Sequence, residues 1–112
     1  MKKNQKQGII NFKINLDANN IPENIIWEAT DQKGKQNQTK AIMISIWDGH
    51  NKSSLKIDLW TNVMMVEELK FFKFQILDAL GDTYKRATND EHTGNEIKNF
   101  AKKMGKMSKV LK

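Results

Sequence analysis

Asp48-x-His50 and Asp90-x-His92 contain the chain's two histidines, each following a carboxylate at the same spacing. Such a pair offers a metal one oxygen and one imidazole nitrogen. A structural or catalytic zinc needs three or four ligands, and the chain has no cysteine to complete the set. Both pairs therefore read as polar turn residues. Asp48 and Asp58 are a second candidate, a carboxylate pair for acid–base work on neighbouring strands. In the strand register derived below, however, Asp58 faces Met43 while Asp48 lies at the hairpin end. Solvent exposure, or a salt bridge from Asp58 to Lys56 or Lys40, is the expected state. The stretch "DANNIP" starts like a calcium loop but lacks the ligand at position five and the glycine at position six. Gly34 and Gly49 stand alone, so no phosphate-binding loop is present, and no G-x-S-x-G elbow occurs. No histidine is placed to activate a serine or threonine. The residues point away from catalysis, and they suggest no cofactor and no metal.

The elements that would position these groups lead to another feature. Ile10, Phe12, Ile14 and Leu16 alternate with Asn11, Lys13 and Asn15, the pattern of a half-buried strand. Asp17, Asn19, Asn20 and the single proline, Pro22, then mark a loop, and Ile25 to Thr30 is a second short strand. "DQKGKQNQ" follows, too hydrophilic to bury. Lys40 to Asp48 and Ser54 to Thr61 are the strongest strands, joined by "GHNK". Pairing Ile46 with Leu55, Ile44 with Ile57 and Ile42 with Leu59 puts six aliphatic side chains on one face. A slip of one residue would break every pair. The opposite face then carries Trp47, Met43, Lys56, Asp58 and Trp60.

Beyond the strands, Val66, Leu69, Phe72, Ile76, Leu77, Leu80, Tyr84 and Ala87 recur at helical spacing, predicting a helix from Met65 to Ala87 capped by Thr61 or Asn62. Phe71 and Phe74 fall off its stripe and need a second cover. Gly81 inside it costs about 1 kcal/mol relative to alanine. Thr93 and Glu96 have capping-box spacing, and Ile97, Phe100, Ala101 and Met104 form one stripe ending at Gly105, so a second helix is expected over 94–104. That helix either folds back over Phe71 and Phe74 or packs on the sheet and leaves them for another chain. The fold expected is α+β: a four-stranded antiparallel sheet (β-β-β-β) followed by two helices packed on one face. One domain would span 9–104, between basic segments at 1–8 and 105–112.

The net charge of +6 invites a nucleic-acid reading, but its distribution argues against one. Three lysines lie within 1–8 and six within 98–112, leaving the body between them mildly acidic. Only Phe100 interleaves the later lysines, so there is no stacking platform for single strands. No apolar run approaches the ~20 residues of a membrane span, and Asn11, Lys13 and Asn15 interrupt any signal-peptide core in "MKKNQKQGIINFKINL". With no cysteine, a reducing, cytoplasmic setting is expected. The Asn37-Gln38-Thr39 and Asn51-Lys52-Ser53 acceptor patterns would then never meet glycosylation.

What stands out is the second sheet face, where Ile26, Met43, Trp47 and Trp60 are interrupted by Lys56 and Asp58. Aromatic and methionine side chains framed by charge are how interaction surfaces are composed. With Phe71 and Phe74, these are the candidate interface residues for a protein partner or a second copy of the chain.

The blocks "PENIIWEATD", "TKAIMISIWD", "LKIDLWT", "ELKFF" and "DTYKRATND", in order from Pro22 to Asp90, resemble the GldC family of gliding motility-associated proteins of Bacteroidota. The lysine-rich "KKMGKMSKVLK" resembles it least. The resemblance implies a soluble, cytoplasmic accessory factor for gliding motility, in a system connected with type IX secretion, with no established enzyme activity and no catalytic residues to transfer. Partners would be proteins of the motility apparatus. The order of four strands then two helices also resembles the export chaperone SecB, which would imply binding of export substrates.

Overall fold

The computed structural model describes residues 6–33 and 35–112. The lysines Lys2 and Lys3 of the basic 1–8 segment lie outside the described residues. Two compact units divide the chain, 1–64 and 65–112.

The first unit is built from strands, with a single 3-10 turn at Thr30–Gln32 after β2 among the described residues. β1 (Ile10–Leu16) pairs antiparallel with β2 (Pro22–Ala29), and β2 with β3 (Asn37–Thr39). β4 (Ala41–Asp48) pairs with β5 (Ser53–Trp60) as a separate two-stranded sheet. The expected single four-stranded sheet is thus replaced by sheets of three strands and two. The extra strand, β3, lies in the stretch expected to be a polar loop. An edge strand needs only its backbone to pair, so Asn37, Gln38 and Thr39 can form one without an apolar side chain. The chain bends at Lys40, and the ladder partner changes there from β2 to β5: Ile25 pairs with Thr39, whereas Thr61 N–H donates to Lys40 O at 2.8 Å. β2 also starts earlier than expected, with Pro22 as its first residue, a position where a missing N–H is tolerated.

Between β1 and β2 the turn is built by Asp17, whose Oδ1 accepts from Asn19 N–H at 2.8 Å and Ile21 N–H at 3.0 Å, with Asn20 in the left-handed region at φ 63°. The carboxylate that suggested a calcium loop is therefore occupied by its own backbone. Ile25 is fully buried, Ile42 nearly so, and Thr61 at the base of the β4–β5 hairpin is buried as well. The alternation of β1 does not bury its apolar face: Ile10, Phe12 and Leu16 are exposed.

The second unit is a helical hairpin, α1 (Val66–Thr88) and α2 (Glu91–Met107). α1 begins after Met65, not Thr61 or Asn62, and Glu68 Oε1 reaches back to accept from Met65 N–H at 2.9 Å. It ends at Asn89, left-handed at φ 59°, whose N–H donates to Lys85 O at 2.8 Å. α2 starts three residues before the expected position because its cap is Asp90, not Thr93; Asp90 Oδ1 accepts from Thr93 N–H at 3.0 Å. Those Thr93 contacts hold the Asp90 carboxyl below its ordinary range, with a smaller contribution from His92. A depressed folded-state pKa stabilises above the ordinary aspartate value, near 3.9, and that contribution is lost as pH falls through the lower folded value. We expect Asp90→Ala to lower the thermal midpoint at neutral pH, and the gap from wild type to close at strongly acid pH in parallel melts.

The helices meet through small residues. Gly81 lies against Gly94, Lys98 against Asp78 and Asp82, and Phe74 against Gly105, so the elements run antiparallel. Lys98 Nζ stands 3.1 Å from Asp78 Oδ1 and 3.0 Å from Asp82 Oδ2, and both carboxylates raise the lysine pKa. Ala101, between Lys98 and Gly105 in sequence, is fully buried. The side of α2 that faces α1 is therefore Gly94, Lys98, Ala101 and Gly105, which leaves Phe100 of the expected Ile97–Phe100–Ala101–Met104 stripe exposed. After α2 the chain turns back, Val110 and Leu111 N–H both donating to Gly105 O, with Leu111 packed on that glycine.

Candidate interaction surface

The β4–β5 hairpin has the register expected from the sequence: Ala41 with Trp60, Met43 with Asp58, Ser45 with Lys56, Trp47 with Ser54 on one face, and Ile42 with Leu59, Ile44 with Ile57, Ile46 with Leu55 on the other. Trp47 and Trp60 thus share a face but sit six positions apart along the ladder, about 20 Å at strand rise. They remain 66% and 50% exposed, while Met43 is only just exposed. The apolar area is at the two ends, and Lys56 and Asp58 lie between them.

The turn that joins the strands is fixed by Asp48. Its Oδ1 accepts from His50 N–H at 3.0 Å and Asn51 N–H at 3.3 Å, and its Oδ2 from the Asn51 side-chain amide at 2.9 Å. Those Asn51 hydrogen bonds, with His50 contributing, hold the carboxyl below its ordinary range. A carboxylate committed to three donors keeps its charge and closes a loop; it is a poor proton shuttle. Lys52 completes the turn at φ 53°. Asp58 pairs with Met43, five positions from Asp48, so the two carboxylates do not converge. His50 lies in this turn and His92 in the first turn of α2. Among the described residues no three metal-ligating side chains come together.

The remaining candidates fall elsewhere. Ile26 is on the three-stranded sheet, between Lys13 of β1 and Gln38 of β3. Phe71 and Phe74 are on α1, their ring centroids 6.2 Å apart and planes at 50°. Phe74 is covered by α2 at Gly105 and Phe71 is half-exposed. Met43, Trp47, Lys56, Asp58 and Trp60 therefore share one face of the hairpin, spread along its length, while Ile26 lies on the other sheet. Two further features are not among the expected interface residues. Trp27 lies opposite Phe12 in β1–β2, and its place in the alternation of "IIWEA" was the available signal. The aliphatic face of the hairpin, expected to be its folding core, is half-exposed towards the turn, at Ile46 by 50%, Leu55 by 56% and Ile57 by 44%, while Ile42 at its other end is nearly buried.

The family model for gliding motility-associated GldC-like proteins matches residues 22–110. The chain belongs to that family. The GldC-like match takes in β2 through α2 and leaves β1 outside it. Both tryptophans of the hairpin, and both glycines of the helix crossing, lie within the matched region. No curated protein and no solved structure matches the chain. No helix among the described residues is long and apolar enough to cross a membrane.

Proposed function

We propose that this GldC-like protein is a non-enzymatic accessory factor of the gliding motility machinery, linked to type IX secretion. It acts in the cytoplasm through the aromatic face of β4–β5, which docks a protein of the motility apparatus. The observation that carries this reading is the exposure of Trp47 and Trp60 on one face of the hairpin, with Lys56 and Asp58 between them. Tryptophan is the side chain most often found as a binding hot spot, and charge beside it fixes orientation. Two such anchors at opposite ends of a rigid hairpin suit a partner that spans its length. Truncating an anchor typically costs 2 kcal/mol or more of binding, about thirtyfold in affinity. The expected result is that Trp47→Ala with Trp60→Ala loses the partner captured by wild type from the native cell while keeping its circular dichroism and melting temperature. Light scattering after size exclusion separates a foreign partner from a second copy. Unchanged capture and unchanged self-association in the double variant would sink the proposal.

A second reading is SecB-like binding of unfolded export substrates. It is favoured by the aliphatic side chains left exposed on Ile46, Leu55 and Ile57, a surface suited to extended apolar segments. It predicts binding to a reduced, unfolded client that weakens with Leu55→Ser and Ile57→Ser. A client that binds both proteins equally, or neither, would rule it out.

A further inference from the structure

The lysines at and after the end of α2 lie apart from the hairpin face. From Ile97 to Lys112 the chain carries six lysines and no acidic side chain. Lys98 is turned inward to Asp78 and Asp82. Lys102, Lys103, Lys106 and Lys109 are exposed, and none is ion-paired with a carboxylate among the described residues. On the same helix Phe100 and Met107 are 55% and 73% exposed. At about 100° per residue, Phe100, Lys103 and Met107 fall within roughly 60° of one another, and Lys106 lies about 60° further round. This sector is about 150° from the Gly94–Ala101–Gly105 side that packs on α1. Glu96 shares it one turn towards the N-terminus, so the sector is acidic at its start and basic over its last two turns.

We propose that this outer face of α2 binds an anionic lipid bilayer. Each part of the surface has a matching part there. Lysines at the rim are drawn to acidic headgroups, and an aromatic ring and a thioether about 10 Å apart along the helix can enter the boundary between headgroups and acyl chains. A helix already folded and packed on α1 loses little conformational freedom on landing. Nucleic acid would satisfy the lysines but not Met107, and one phenylalanine is no stacking platform.

The experiment is co-sedimentation of the full chain with vesicles of phosphatidylglycerol and phosphatidylethanolamine, against vesicles of phosphatidylcholine. Binding to the anionic vesicles is expected, weakening steeply as added salt shortens the screening length. Removing two charges in Lys103→Gln with Lys106→Gln should weaken it about 25-fold, roughly fivefold per lysine. Phe100→Ser with Met107→Ser should weaken it roughly tenfold at constant salt, with circular dichroism unchanged because both side chains are exposed. Equal or absent binding to the two vesicle types would overturn the proposal. So would anionic binding indifferent to the Phe100 and Met107 changes, particularly if a single-stranded oligonucleotide displaced the vesicles.

Discussion

Valine in place of Gly81 or Gly94 should unfold the helical hairpin, and even alanine should destabilise it. Helix propensity alone gives the opposite sign, since glycine inside a helix costs about 1 kcal/mol relative to alanine. The crossing decides. A Cβ on Gly81 would lie 2.9 Å from Gly94 O, and a Cβ on Gly94 would lie 3.0 Å from Gly81 O. Each would also strike a lysine stem, Lys98 Cγ or Lys85 Cγ. The lysine stems can swing aside, but the carbonyls belong to helix backbone, so the helices must move apart. Overpacking of this kind costs about 1 to 3 kcal/mol, enough to outweigh the propensity gain for alanine, and the branched valine adds further clashes. Separation also pulls Lys98 from Asp78 and Asp82. Thermal unfolding followed by far-ultraviolet circular dichroism reads this directly. A midpoint raised by Gly81→Ala would contradict the close crossing.

Ile25→Ala should be the most damaging truncation in the strand unit, at about 2 to 5 kcal/mol. Ile25 is fully buried, sits in the middle strand of the three-stranded sheet, and pairs with Ile14 on one side and Thr39 on the other. Few other side chains in this unit are buried, so little else can collapse into the space. Leu55→Ala is the matched comparison: it removes a side chain already 56% exposed and should cost about 1 kcal/mol or less. Urea unfolding of both variants with shared baselines gives the ratio. Equal losses would mean that the hairpin face is as well covered as the core, against its observed exposure.

The contrast between these two positions also shows what was legible in the sequence. The β4–β5 register was readable because six aliphatic residues alternate on two strands with only one alignment that pairs them. Alternation reports which residues share a face, however, and not whether anything covers that face. Ile46, Leu55 and Ile57 therefore read as core and are half-exposed. The sheet count failed for a related reason. β3 is held by backbone pairing and carries Asn, Gln and Thr, so hydrophobic pattern gave it no signal, and the bend at Lys40 has no glycine or proline to mark it. Gly81 was visible as a cost to α1, but its reason lies thirteen residues away in Gly94, a long-range contact that helical periodicity cannot express. Asp90 competed with Thr93 for the cap of α2, and the spacing rule favoured the wrong one because Thr93 N–H is the donor that Asp90 accepts from. Of the candidate interface, the five hairpin residues were legible as a set because they depend on register alone. Ile26 would join them only if all strands formed one sheet, and it lies in the three-stranded one.

A docking role requires Trp47 and Trp60 to be a contact surface rather than two incidental exposed rings. A photo-crosslinking side chain placed at position 60, and separately at position 13 on the polar face of β1 as a control, tests this in the native cell. The expected result is a discrete crosslinked protein at position 60 that is absent at position 13 and is lost when Trp47→Ala is added. Crosslinking at position 13 alone, or the same products from both positions, would contradict it.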